Sequence, residues 1–193
     1  MKGLGWLVTA VAIVAAALFF AYNGLLGKEE AVLAAWANVE STVQRRADLI
    51  PNLVSTVKGY AQHEQETLNQ VVEARTKATQ PVSAKDLSNA AAMQQFQNSQ
   101  AALGSALSRL IAISENYPDL KANQNFLDLQ NQLEGTENRI NVARERYNNA
   151  VRVFNGAIRA LPGKFINDHF LHLEAKEYFK AAEQAREVPK VSF

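Results

Sequence analysis

Three stretches hold the residues best suited to chemistry. "NDHFLHLE", residues 167–174, offers Asp168, His169, His172 and Glu174. If 168–174 is helical, Asp168, His169 and His172 converge on one side with Glu174 nearby. Nitrogen and carboxylate donors at i,i+3 and i,i+4 can take zinc or iron. A bundle metal site normally draws ligands from several helices, however, and the chain holds only three His in all. The second stretch, His63-Glu64, opens like a zinc-protease helix, but the position four beyond His63 is Thr67, so the second ligand is missing. Glu29-Glu30 reads as an exposed helix start, where negative charge offsets the helix dipole. There are no cysteines, which excludes disulfides and thiolate metal sites, and no serine has a nucleophile's setting. These readings predict no catalytic residue, no metal ligand set and no cofactor; a metal-dependent enzyme using His169 and His172 is the distant alternative. The third stretch, "RRADLIPN", suits recognition rather than reaction. Arg45, Arg46, Asp48, Pro51 and Asn52 form a charge cluster beside a helix breaker, and they are the candidate functional signature.

The elements that must carry these residues are long helices. Nine Gly and five Pro in 193 residues are few, and the most regular segments contain almost none of either. The first such segment is apolar. Leu4 to Leu26 carries no charge, and as a helix it spans roughly 35 Å, enough for a hydrocarbon core of about 30 Å. The run exceeds the length of a signal-peptide core, and no small-x-small cleavage site follows it, so an uncleaved anchor is expected over residues 1–27. Trp6 and Tyr22 lie near its ends, where interfacial aromatics belong. Ala12 and Ala16, and Ala17 and Ala21, have the small-xxx-small spacing that lets spans approach one another. Lys2 before the span, against Lys28, Arg45 and Arg46 after it, gives only a slight charge bias. The lean is toward a single pass through a bacterial inner membrane, with the soluble part periplasmic.

From Lys28 a seven-residue apolar beat begins, with Val32, Val39, Arg46, Leu53 and Tyr60 in one column and Trp36, Val43, Ile50 and Val57 in the other. The stripe predicts a helix from about Lys28 to Thr79, kinked at Pro51, which cannot donate to the Ala47 carbonyl. A restart capped by Asp48 is the alternative. Arg46 falls on the apolar column and so should snorkel or meet a buried carboxylate, with Glu64 a candidate on a neighbouring chain or helix. A second helix is expected over about 85–116, with Ser83 and Asp86 capping it and Pro118 opening the following turn. A third, from Phe126 to Leu161, alternates apolar residues at three and four without a miss. A shorter fourth helix is expected near Leu173 to Glu187. Long helices joined by short turns predict an all-α antiparallel bundle over 28–187, with 188–193 an extended tail. The expected core includes Trp36, Ile50, Leu53, Val57, Leu68, Phe126, Leu133, Ile140, Tyr147 and Phe154. The second and third helices are also rich in neutral amides, Gln94, Gln95, Gln97, Asn98 and Gln100, then Asn123 to Asn125 and Gln130 to Gln132, a composition suited to a partner surface.

These residues resemble the LemA family over nearly the whole chain. The similarity is carried by "WANVE" at 36–40, "RRADLIPNLVSTVKGYAQHE" at 45–64, "VVEARTKA" at 71–78, "YPDLKANQNFLDLQNQLEGTENRINVARERYNNAV" at 117–151 and the terminal "PKVSF". The resemblance implies a membrane-anchored antiparallel helical bundle. It supplies no mechanism, because the family has no established biochemical activity. Net charge is +1 and no basic run offers a phosphate stripe, so nucleic acid is not an expected partner. The expected function is a non-enzymatic scaffold that forms a homo-oligomer at the lipid bilayer. The alternative is an adaptor that docks another membrane or extracytoplasmic protein through the 45–52 region.

Overall fold

The computed structural model describes residues 2–180, with side chains described from Gly5 onward. Among the described residues there are six α-helices and no strand. α1 (Lys2–Tyr60) is a single 59-residue helix that carries the apolar run at its start and the heptad stripe beyond it. α2 (Gln65–Ala78) follows a tight turn; α3 (Ala90–Ile113), the one-turn α4 (Pro118–Lys121), α5 (Gln124–Arg159) and the one-turn α6 (Gly163–Ile166) complete the order.

The expected helix from 28 to 79 is instead two helices. The chain turns at Ala61–Glu64, where Glu64 N–H donates to the Ala61 carbonyl, and α2 returns antiparallel along α1. Arg75 reaches Ala47, a pair whose midpoint in sequence is the turn at Ala61. The seven-residue beat continues through the turn because both arms of the hairpin need the same spacing to pack on each other, so phase alone does not reveal the break. From Lys28 to Tyr60, α1 gives the bundle a height of roughly 50 Å.

α5 packs along α1, α2 packs on α1, and α3 packs on α2. The half of the core nearer the apolar run gathers Trp36, Val39, Ile140, Tyr147 and Phe154; the distal half gathers Ile50, Leu53, Val57, Leu68, Leu110 and Phe126. All ten expected core residues are buried. Asn89 caps α3 by accepting from the Ala91 and Ala92 amides at 2.9 and 3.2 Å, and Asn123 caps α5 by accepting from Phe126 N–H at 3.0 Å. The expected Ser83–Asp86 cap forms one turn earlier, on the 3₁₀ turn Asp86–Ser88, where Asp86 accepts from both the amide and the hydroxyl of Ser83 at 2.7 Å. Pro118 occupies the first turn of α4 as expected.

The fourth helix is a second correction. A five-residue π turn, Asn167–Leu171, ends in His172 with φ 53°, and residues 173–180 then run without helix. Asparagine amides hold this segment. Asn155 bonds both the N–H and the carbonyl of Lys176 at 2.9 Å, and Asn148 does the same for Phe179 at 2.9 and 3.0 Å. Two asparagines seven apart on a helix are separated by about 10 Å, and three residues of extended chain cover about the same distance, so the registers match. Tyr147 Oη adds a bond to the Glu177 carbonyl at 3.0 Å, and Glu177 N–H donates to the Leu87 carbonyl at 2.7 Å. Satisfying the backbone in this way removes the need for a helix there. The remainder of the expected helix, 181–187, and the tail, 188–193, lie outside the described residues.

Candidate functional site

The signature residues divide by helix face. Arg45, Asp48, Pro51 and Asn52 lie on the exposed side of α1, whereas Arg46 is 3 % exposed and points into the bundle. Arg46 Nη1 donates to Glu137 Oε2 and Nη2 to Gln100 Oε1, both at 2.5 Å, so one guanidinium joins α1 to α5 and α3. Gln100 is itself buried and donates to the Ala78 carbonyl at the end of α2 at 2.7 Å. A single polar cluster therefore fastens all four long helices. The partner is Glu137 rather than Glu64. Glu64 sits at the distal turn, 18 residues beyond Arg46 on the hairpin, where it accepts from Tyr117 Oη at 3.1 Å. Gln100 and Gln97, expected on an outer amide face, are also corrected: Gln100 is interior, and Gln97 accepts from Lys180 N–H at 3.0 Å.

Arg46 and Glu137 line a groove of about 480 Å³ between α3 and α5, with walls formed by Leu107, Ile111 and Leu133. Glu137 remains 45 % exposed, so its second oxygen keeps water contact while Arg46 is shielded. Arg144, two turns beyond Glu137 along α5, lies over the Phe179 ring at 5.3 Å. Its pKa is lowered, chiefly by burial; the nearby Glu137 charge opposes that shift and the Arg46 charge adds to it. The cluster thus holds two cations against one carboxylate, arranged as a clamp between helices. It contains no nucleophile and no base poised beside one.

Pro51 leaves α1 unbroken. Its missing N–H would orphan the carbonyl of Ala47, a residue 1 % exposed, and Arg75 Nε supplies the replacement donor at 2.8 Å. The helix breaker and the returning α2 are therefore one device: the proline opens an acceptor and the arginine of the hairpin's other arm fills it.

The histidines are placed apart from this cluster. His169 stacks on Phe165 with centroids 4.4 Å apart and contacts the Phe165 carbonyl, while Asp168 accepts from Lys164 at 2.6 Å. The π turn and the left-handed His172 take 168–174 off a regular helix, so the expected i,i+3 and i,i+4 convergence does not form. Among the described residues no group of three His, Cys, Asp or Glu side chains comes together. In the apolar run of α1, Ala12, Ala16 and Ala17 are exposed, whereas Ala21 is partly buried against the base of the bundle.

Sequence reasoning missed Arg75, Asn148 and Asn155. The signal was present, since Asn148 and Asn155 each sit beside a core aromatic, Tyr147 and Phe154, at heptad spacing. Residues 5–60 contain a helix long and apolar enough to cross a membrane. No curated protein matches the chain. A LemA family model matches residues 35–193, more than four fifths of the sequence, taking in Arg46, Pro51, Arg75, Gln100 and Glu137. The chain belongs to the LemA family.

Proposed function

We propose that this protein is a non-enzymatic, membrane-anchored scaffold whose working unit is a homo-oligomer joined through α5. One observation carries the reading. Gly135, Val142, Asn149 and Gly156 form a column at strict seven-residue spacing on the outward face of α5, and all four are exposed. A Cβ built on Gly135 or Gly156 meets nothing within 4 Å, so the column is an open, uncharged ridge, flanked by Asn131 and Asn138 and then by Glu145 and Arg152. A solvated face of a 36-residue helix ordinarily carries charge at most positions, whereas small neutral residues at this period suit close helix contact. Anchors hold every copy in the same orientation, so α5 helices meet parallel and equal-numbered positions face each other. Ala12, Ala16 and Ala17 extend the same possibility into the bilayer. We place the anchor in a bacterial inner membrane with the bundle on the periplasmic side.

The test uses the cysteine-free chain. Val142→Cys, expressed in membranes and treated with a short bismaleimide, should yield a covalent dimer, while Thr76→Cys on the exposed face of α2 should not. Equal yields at both positions contradict an α5 seam. A second reading is favoured by the outward placement of Arg45, Asp48, Pro51 and Asn52. There the 45–52 face docks another membrane or extracytoplasmic protein. In that case crosslinks from Asn52→Cys to a different polypeptide replace those at Val142.

A further inference from the structure

The C-terminal end of the bundle folds down beside the anchor. Leu161, Phe165 and Phe170 are 80 %, 44 % and 60 % exposed, an unusual set of bare apolar side chains on one short turn of 161–170. Their height is fixed by contacts with α1. Leu161 and Pro162 line a groove with Phe20, Ala21, Gly24 and Leu25, and Leu18 and Ala21 are half-buried against the same base. The uncharged run of α1 continues to Leu26, so these contacts begin eight residues inside it, roughly 12 Å along the helix. Gly163 makes the approach possible. A Cβ there would meet the Ala157 carbonyl oxygen at 2.3 Å, and Leu25 Cδ2 lies 3.3 Å away.

A chain segment that packs beside the last two turns of a spanning helix shares their surroundings. Leu161 points outward where Phe19 and Phe20 of α1 are themselves 65 % and 73 % exposed, so the two elements offer one continuous apolar surface. Phe165 and Phe170 lie edge to face, with centroids 6.5 Å apart. Lys164, between Leu161 and Phe165, pairs with Asp168 and is 56 % exposed, and Lys28 marks the water end of the run. Aromatic and aliphatic side chains with a lysine at this depth have the composition of an interfacial anchor.

We propose that residues 161–170 are a second membrane contact: Leu161, Phe165 and Phe170 enter the bilayer leaflet from which α1 emerges, with Lys164 at headgroup level. The occupant is lipid, because the patch is continuous with the span and level with its last turns. The inference rests on the reading that the α1 run spans the bilayer. Its consequence is mechanical. A rod held by one helix can tilt and spin; a rod with a foot in the interface keeps a fixed rotation and presents a fixed side of α5 to its neighbours.

The full chain, made as single-cysteine variants Leu161→Cys, Phe170→Cys, Val14→Cys and Gln132→Cys, is labelled with an environment-sensitive fluorophore. It is then reconstituted in vesicles of phosphatidylethanolamine and phosphatidylglycerol that carry spin-labelled lipid. Labels at 161 and 170 should be quenched about half as strongly as at 14 or more, and 132 should stay unquenched, as expected for burial at the headgroup boundary. The unlabelled thiol at 170 should also react roughly tenfold more slowly with a charged maleimide than that at 132, because thiolate is disfavoured in apolar surroundings. Strong quenching at 14 with 161 and 170 matching 132 overturns the foot while leaving the anchor intact. Absence of quenching at 14 overturns the anchor and the foot with it.

Discussion

Arg75→Ala should be costly only while residue 51 is proline. In the native chain the Ala47 carbonyl is 1 % exposed at the residue level and receives its hydrogen bond from Arg75 Nε at 2.8 Å. Removing the guanidinium leaves a buried acceptor without a donor, and bonds from charged donors contribute about 1.5–3 kcal/mol. Arg75 is only half-buried, so about 2 kcal/mol is the appropriate figure, some water reaching the site after truncation. In a Pro51→Ala background the alanine N–H donates to the same carbonyl in the ordinary i→i−4 fashion, and Arg75→Ala should then cost no more than about 0.5 kcal/mol. The double-mutant cycle therefore predicts a coupling near 1.5 kcal/mol, about 3–6 °C in melting temperature for a chain of this size. The assay is thermal and urea unfolding of the detergent-solubilised full chain, followed by the helical circular dichroism signal. Equal penalties for Arg75→Ala in the two backgrounds would show that the arginine does something other than replace the proline's missing donor.

The buried ion pair should respond asymmetrically. Glu137→Leu leaves a cation that is 3 % exposed without its counter-charge and should cost about 3 kcal/mol, whereas Arg46→Met frees a half-exposed carboxylate that water can take up and should cost about 2 kcal/mol, most of it from the buried Gln100 Oε1 that loses its donor. The double variant should be more stable than Glu137→Leu alone, and calorimetric melting temperatures that simply add would refute this. Asn155→Ala removes two bonds to the Lys176 backbone, and trypsin should then cut after Lys176 or Lys180 well before the rest of the bundle, as read by mass spectrometry. Resistance equal to that of the native protein would mean the amide clamp does not hold the segment. At high pH the bundle should weaken through Tyr147, whose pKa is raised by burial and by the nearby Glu177 charge. The folded pKa lies above the unfolded value of about 10, so this contribution is complete below pH 10 and falls as pH rises. Tyr147→Phe should flatten that decline in urea midpoints measured across the alkaline range.

The bundle was legible in the sequence because its signal is distributed: every third or fourth residue of α1, α3 and α5 repeats the same statement, and a few polar intrusions do not erase it. Arg46 was legible as an anomaly for the same reason, being charged on an apolar column, though its partner was not. Glu137 lies 91 residues away on a helix whose rotation relative to α1 is set by packing of the whole core. The hairpin at Ala61 was hidden because two antiparallel arms and one long helix obey the same period, and a single Gly59 two residues earlier is a weak breaker. The segment after Leu171 was misjudged for a different reason. "LEAKEYFK", residues 173–180, has good helix propensity, but Asn148 and Asn155 offer its backbone partners already held in register, and Phe179 gains a place among Trp36, Phe96 and Tyr147. Tertiary contact outweighed local preference.

Mass photometry of the intact, detergent-extracted chain bears most directly on whether the protein acts by associating with itself. Self-association through α5 gives particles at a multiple of the 21.3 kDa chain mass plus detergent, which Val142→Glu on the outer face of α5 reduces to a single chain while circular dichroism stays unchanged. A native protein that runs as one chain at every concentration tested, in detergents that preserve its helicity, would contradict it.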